Sequence, residues 1–126
     1  ELMPEHVDRI YGWYGQYADS PGVARVVPID EIIYLKAELK YITIRTAQRE
    51  YLLEESLTKL EEEFAQRLVR VHRNCLVARD FIRGFERRVG DGGDAHWEVL
   101  LKDGPETLPV SRRQQSIVRE IGRESQ

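Results

Sequence analysis

The stretch that decides the fold is Leu68-Val69-Arg70-Val71-His72-Arg73-Asn74-Cys75-Leu76-Val77-Ala78. Two short apolar runs, Leu68 to Val71 and Cys75 to Ala78, flank the polar break His72-Arg73-Asn74. That pattern predicts a strand, a corner and a second strand. A corner projects its side chains away from the sheet, and all three of these can donate hydrogen bonds. An arginine fork suits guanine O6 and N7, and an asparagine amide suits adenine N6 and N7. The same residues would also make a polar turn that satisfies its own backbone, and the chemistry of the segment leaves both readings open.

Towards the C terminus, Phe81 to Arg87 and His96 to Leu101 read as extended segments on either side of the turn Gly90-Asp91-Gly92-Gly93-Asp94. A second turn, Lys102-Asp103-Gly104-Pro105, leads into Thr107-Leu108-Pro109-Val110. A helix is predicted after Ser111, with Ile117, Val118 and Ile121 on its apolar face. Ser111-Arg112-Arg113 stands at the handover. A hydroxyl and free N–H groups at a helix start, with two arginines beside them, suit a phosphate; an ordinary N-cap followed by exposed arginines has the same sequence.

Towards the N terminus, Ser56 caps a predicted helix from Leu57 to Phe64, with Leu57, Leu60 and Phe64 inside and Glu61, Glu62 and Glu63 solvated. Tyr41 to Thr46 alternates as a half-buried strand and pairs with Glu50 to Leu53 across Ala47-Gln48-Arg49. Ala24 to Pro28 and Ile32 to Leu35 are shorter strands, and Glu38-Leu39-Lys40-Tyr41 is a loop entering the next. In residues 1–20, Val7, Ile10, Tyr11, Tyr14 and Tyr17 recur three and four apart, which predicts a short helix stopped by Ser20-Pro21-Gly22. Residues 1–22 therefore read as a linker or N-terminal extension helix following an upstream domain, and 23–126 as the domain proper. Seven or eight strands against two short helices predict a mostly β, antiparallel fold.

A chain of 126 residues with 41% hydrophobic composition suits one domain with a real core. No apolar run approaches the roughly 20 residues of a membrane span, and the first residues lack a signal-peptide pattern, so a cytoplasmic protein without a membrane partner is expected. The net charge is −3, yet Arg67 to Arg88 holds seven arginines against two acids, and the basic residues are 15 arginines to 4 lysines. Arginine pairs bidentately with phosphate or a guanine edge, whereas lysine is a point charge.

Enzymatic readings are weak. His72 and Cys75 are three apart, but no nucleophile signature surrounds the thiol, and its apolar run predicts a buried, inert group. His6, His72 and His96 lack metal-ligand spacing, and no phosphate-cradling glycine motif is present. No catalytic residue, metal or cofactor is assigned.

The ordered landmarks Ile32 to Leu35, Lys40-Tyr41-Ile42-Thr43, the helix from Leu57, Leu68 to Val77 and Leu108 to Arg113 resemble the LytTR DNA-binding domain of bacterial response regulators, particularly its alginate-biosynthesis branch. The resemblance covers about residues 23–121, and its most specific element is Arg70-Val71-His72-Arg73-Asn74. It implies an elongated stack of small antiparallel sheets with two short helices, which places loops rather than a recognition helix in successive major grooves. It further implies base reading by Lys40, Arg73 and Arg112, phosphate contacts from His72, Asn74, Ser111 and Arg113, and double-stranded DNA as partner. An upstream receiver domain is implied, and a dimer on DNA is allowed. The rival reading is a β-rich protein-interaction module that meets an acidic partner through Arg67 to Arg88.

Overall fold

A computed structural model describes residues 9–14, 23–102 and 106–124. The strands are β1 (Arg9–Tyr14), β2 (Val23–Pro28), β3 (Ile32–Glu38), β4 (Tyr41–Thr46), β5 (Glu50–Leu53), β6 (Leu68–His72), β7 (Cys75–Ala78), β8 (Ile82–Val89), β9 (Ala95–Leu101) and β10 (Thr107–Val110). Helix α1 spans Leu57–Glu63 and α2 spans Ser116–Glu124. All pairings are antiparallel, in a seven-stranded sheet of order β2-β1-β5-β4-β3-β7-β6 and a three-stranded sheet of order β10-β9-β8.

The expected mostly β class holds, with ten strands among the described residues in place of seven or eight. One correction concerns the N terminus. The predicted helix is absent at residues 9–14, which pair along their whole length with β2 and meet β5 at Trp13↔Leu52. Isoleucine, tyrosine and tryptophan favour a pleated surface, and a ready ladder partner overrode the helix-like spacing of three and four. Ile10 is buried in the core, so this segment is built into the sheet rather than standing apart as a linker. The rest of that predicted helix, at 1–8 and 15–22, lies outside the described residues.

Two cores lie on opposite faces of the β3–β7–β6 region. In the first, Leu57, Leu60 and Phe64 pack on Ile32, Leu35, Ile44, Leu68 and Leu76. In the second, Val69, Val71, Cys75 and Val77 pack on Val99, Leu108 and Val110 and on Ile117 and Ile121 of α2. Covered on both sides, β7 is buried at all four positions, which is why it reads as a continuous apolar run. Strand β4 has one buried face, Ile42, Ile44 and Thr46, and alternates as expected. Ser56 caps α1 by accepting from the Lys59 N–H at 3.2 Å.

Candidate nucleic-acid interface

Strand register carries three loops to one end of the large sheet. β3 runs towards the hairpin turn at Leu39 and Lys40, where Glu38 pairs with Tyr41. Its other neighbour, β7, begins opposite Lys36, and the Ala37 N–H donates to the Asn74 carbonyl at 2.8 Å. The Arg73-Asn74 turn therefore sits beside β3 just before the Lys40 turn. The third loop arrives from the small sheet: the Ser111 N–H donates to the Val71 carbonyl at 2.8 Å. His72, Arg73, Ser111, Arg113 and Gln114 line a cleft of about 460 Å³ between the second and third loops.

A bulge between Arg70 and His72 directs neighbouring side chains to different faces. Arg70 pairs with Leu76, whose side chain lies in the first core, and faces α1. His72 pairs with Cys75, whose side chain lies in the second core, and lines the cleft. His72 Nδ1 is enclosed with no hydrogen-bond partner among the described residues.

The predicted contact residues are accessible. Lys40, Arg73, Arg112 and Arg113 are exposed, while His72, Asn74 and Ser111 are partly exposed. Lys40 Nζ stands 5.5 Å from the centre of the Tyr41 ring, a cation–π contact that draws the ammonium towards its own hairpin. The ordinary N-cap reading of Ser111 is corrected: its side chain makes no cap bond, and the chain passes through a 3-10 turn at Arg112–Gln114 before α2.

Two further corrections concern charge. Arg67 to Arg88 is not one free basic surface: Arg67 pairs with Asp30 and Asp80, Arg70 with Glu61, and Arg88 with Glu86 and Glu98. Nor is Glu61 simply solvated. Its Oε1 accepts from Arg70 Nε at 2.9 Å, while Glu62 and Glu63 are exposed.

Cys75 does not form a reactive pair with His72. Burial pushes its thiol up to about 12, against a smaller lowering by Lys36 and Arg70, so the nucleophilic thiolate is unpopulated at neutral pH. Tyr34, whose hydroxyl burial raises first and the bond to Glu106 raises further, donates to Glu106 Oε2 at 2.9 Å and ties β3 to the chain entering β10. No metal-holding group of acids, histidines and cysteines occurs among the described residues.

The sequence assigned no site role to Arg70, Leu39 or Gln114. Arg70 had a readable signal, a basic residue inside an apolar run on the face that a strand alternation gives to α1. Leu39 had none: it is fully exposed at the hairpin tip with φ 52°, a left-handed value few non-glycine residues adopt.

This arrangement of sheets, α2 and connecting loops is that of a known class. The LytTr DNA-binding domain family matches residues 23–123, and the chain belongs to that family, which is non-enzymatic. The positive alginate biosynthesis regulatory protein of Pseudomonas aeruginosa is 44% identical over 99 residues, 76% of this chain and 38% of the relative, so the chain spans well under half of that protein's length. A solved LytTr DNA-binding domain of a Bacillus cereus response regulator shares the fold, with TM-score 0.68 and 21% identity, covering 90% of this chain and 94% of that one. As a LytTr domain, the chain is a DNA-binding module.

Proposed function

We propose that the chain reads double-stranded DNA by inserting its three loops into successive major grooves, as the output domain of a two-component response regulator. Lys40, Arg73 and Arg112 meet base edges; His72, Asn74, Ser111 and Arg113 hold phosphates and set register. Each good bidentate base contact contributes about 1–3 kcal/mol of discrimination. The observation that carries this reading is the meeting of the loops through the Ala37–Asn74 and Ser111–Val71 backbone bonds, with exposed arginines at Arg73, Arg112 and Arg113.

The net charge of −3 is compatible with a polyanionic partner because charge is segregated. Glu62 and Glu63 are exposed on α1, which packs on the opposite face of the sheet from β10 and α2. The rival reading, docking of an acidic protein through Arg67 to Arg88, loses support because three of those arginines are already paired internally.

On this reading a receiver domain precedes this chain in the full-length protein, and a dimer on DNA follows if its sites are repeated. A cytoplasmic location fits this role; among the described residues no helix is long and apolar enough to cross a membrane. Selection of bound fragments from random DNA tests the proposal: enrichment of a defined motif is expected, and recovery of unenriched fragments counts against sequence reading.

A further inference from the structure

We infer that Arg70 is a positioning residue for the Arg73 turn, and that Glu61, on helix α1, thereby helps to set DNA specificity. The inference rests on the base-reading role proposed for Arg73. The Arg70 side chain is only 14% exposed, and its guanidinium is shared between two elements. Nε donates to Glu61 Oε1 at 2.9 Å and Nη2 to Thr58 Oγ1 at 3.3 Å, both on α1. Nη1 donates to the backbone carbonyl of Arg73.

A guanidinium is a rigid planar fork, so fixing two of its nitrogens on α1 fixes where the third can hold the turn carbonyl. The helix end of the clamp is itself seated: Leu57 and Leu60 are buried, and Ser56 caps the first turn. A base-reading arginine needs its backbone held closely, because misplacement of the contact erodes discrimination before it erodes general attraction to phosphate. Arg70 is thus engaged within the protein, whereas Arg73 next to it stays exposed.

The clamp makes a prediction opposite to bulk electrostatics. Removing an acid from a DNA-binding protein should tighten binding to every sequence. If Glu61 works by holding Arg70, Glu61→Ala should instead weaken binding to the selected site about three- to tenfold, leaving scrambled DNA unchanged or slightly tighter.

The test is fluorescence anisotropy of wild type, Glu61→Ala, Arg73→Ala and the double variant on both duplexes, with thermal unfolding confirming that each is folded. Non-additivity is expected, because once Arg73 is truncated its placement no longer matters. Unchanged or tighter cognate binding by Glu61→Ala, or strict additivity with Arg73→Ala, overturns the inference. So does a salt slope that falls by about one in Arg70→Gln, which would make Arg70 a phosphate contact instead. Amide hydrogen exchange at Arg73 and Asn74 supplies a readout without DNA: faster exchange in Glu61→Ala is expected, and unchanged exchange refutes the clamp. Wild type failing to prefer any sequence would sink the base-reading proposal while leaving the exchange result to decide the clamp.

Discussion

The backbone N–H of Ser111 donates to the carbonyl of Val71 at 2.8 Å, so the loop that leaves the small sheet is seated against the strand leading into the Arg73 turn. The Ser111 backbone has φ −71° and ψ 158°, values that proline can adopt. Ser111→Pro therefore keeps the local dihedrals but removes this donor and drives the ring Cδ against the Val71 carbonyl, so the loop and β6 must part. It should lower stability by about 3 kcal/mol or more in chemical denaturation and weaken cognate DNA binding. Ser111→Ala, which touches only a hydroxyl making no cap bond, should leave the denaturation midpoint unchanged.

Leu39 offers a test at the first loop. A left-handed backbone costs a side-chain-bearing residue roughly 1–2 kcal/mol, and glycine adds about 0.5–1 kcal/mol of unfolded-state entropy. Leu39→Gly should therefore raise stability by about 0.5 kcal/mol, read as a higher denaturation midpoint. A lower midpoint would mean that the leucine makes contacts the fold depends on.

The Cys75 thiol, pushed up to about 12 by burial, should resist iodoacetamide in the folded protein at pH 8 and react only as fast as the chain opens. The pH sign follows. Unfolded cysteine ionises near about 8.5, so the stability gained by keeping the thiol neutral is complete below that value and lost as pH rises from there towards the folded value. Cys75→Ala should flatten this alkaline decline, and a decline of unchanged steepness would assign it to other groups.

On the outer face of the small sheet, Glu98 accepts from Thr107 Oγ1 at 2.6 Å, lies 2.9 Å from His96 Nε2 and pairs with Arg88 Nη1 at 3.3 Å. The Thr107 bond first, then that of His96, hold its carboxyl below the usual glutamate range, against the desolvation that raises it. A depressed carboxylate stabilises the fold above its unfolded value, about 4.3, and that stability is lost as pH falls through the folded value. Glu98→Gln should make acid unfolding less steep. Equal steepness in the two proteins would show that Glu98 is not a determinant of acid stability.

Much of this was readable from residue types. The run Leu68 to Ala78 announced two strands and a corner because both flanks must be apolar to serve a sheet covered on two faces. Alternation in Tyr41 to Thr46 gave its buried side, and Ser56 gave the start of α1. Ile10 to Tyr14 misled because spacings of three and four are those of a helix face, and the ladder partner that overrides them, β2, lies across an intervening segment. The roles of the arginines could not be read from a charge count. Arg70 and Arg73 have the same chemistry, and only the bulge beside His72 and the position of Glu61 give one to the helix and leave the other exposed. The meeting of Ser111 with Val71 joins two sheets, a relation that no local pattern encodes.

Loops that read the major groove must sense guanine N7, which lies only there. Methylation interference at N7 on a selected site, run with wild type and Arg73→Ala, tests it most directly. Methylation should block wild-type binding at separated clusters of guanines, and Arg73→Ala should lose the effect at one cluster alone. Binding indifferent to N7 methylation, with interference instead from adenine N3 in the minor groove, would contradict it.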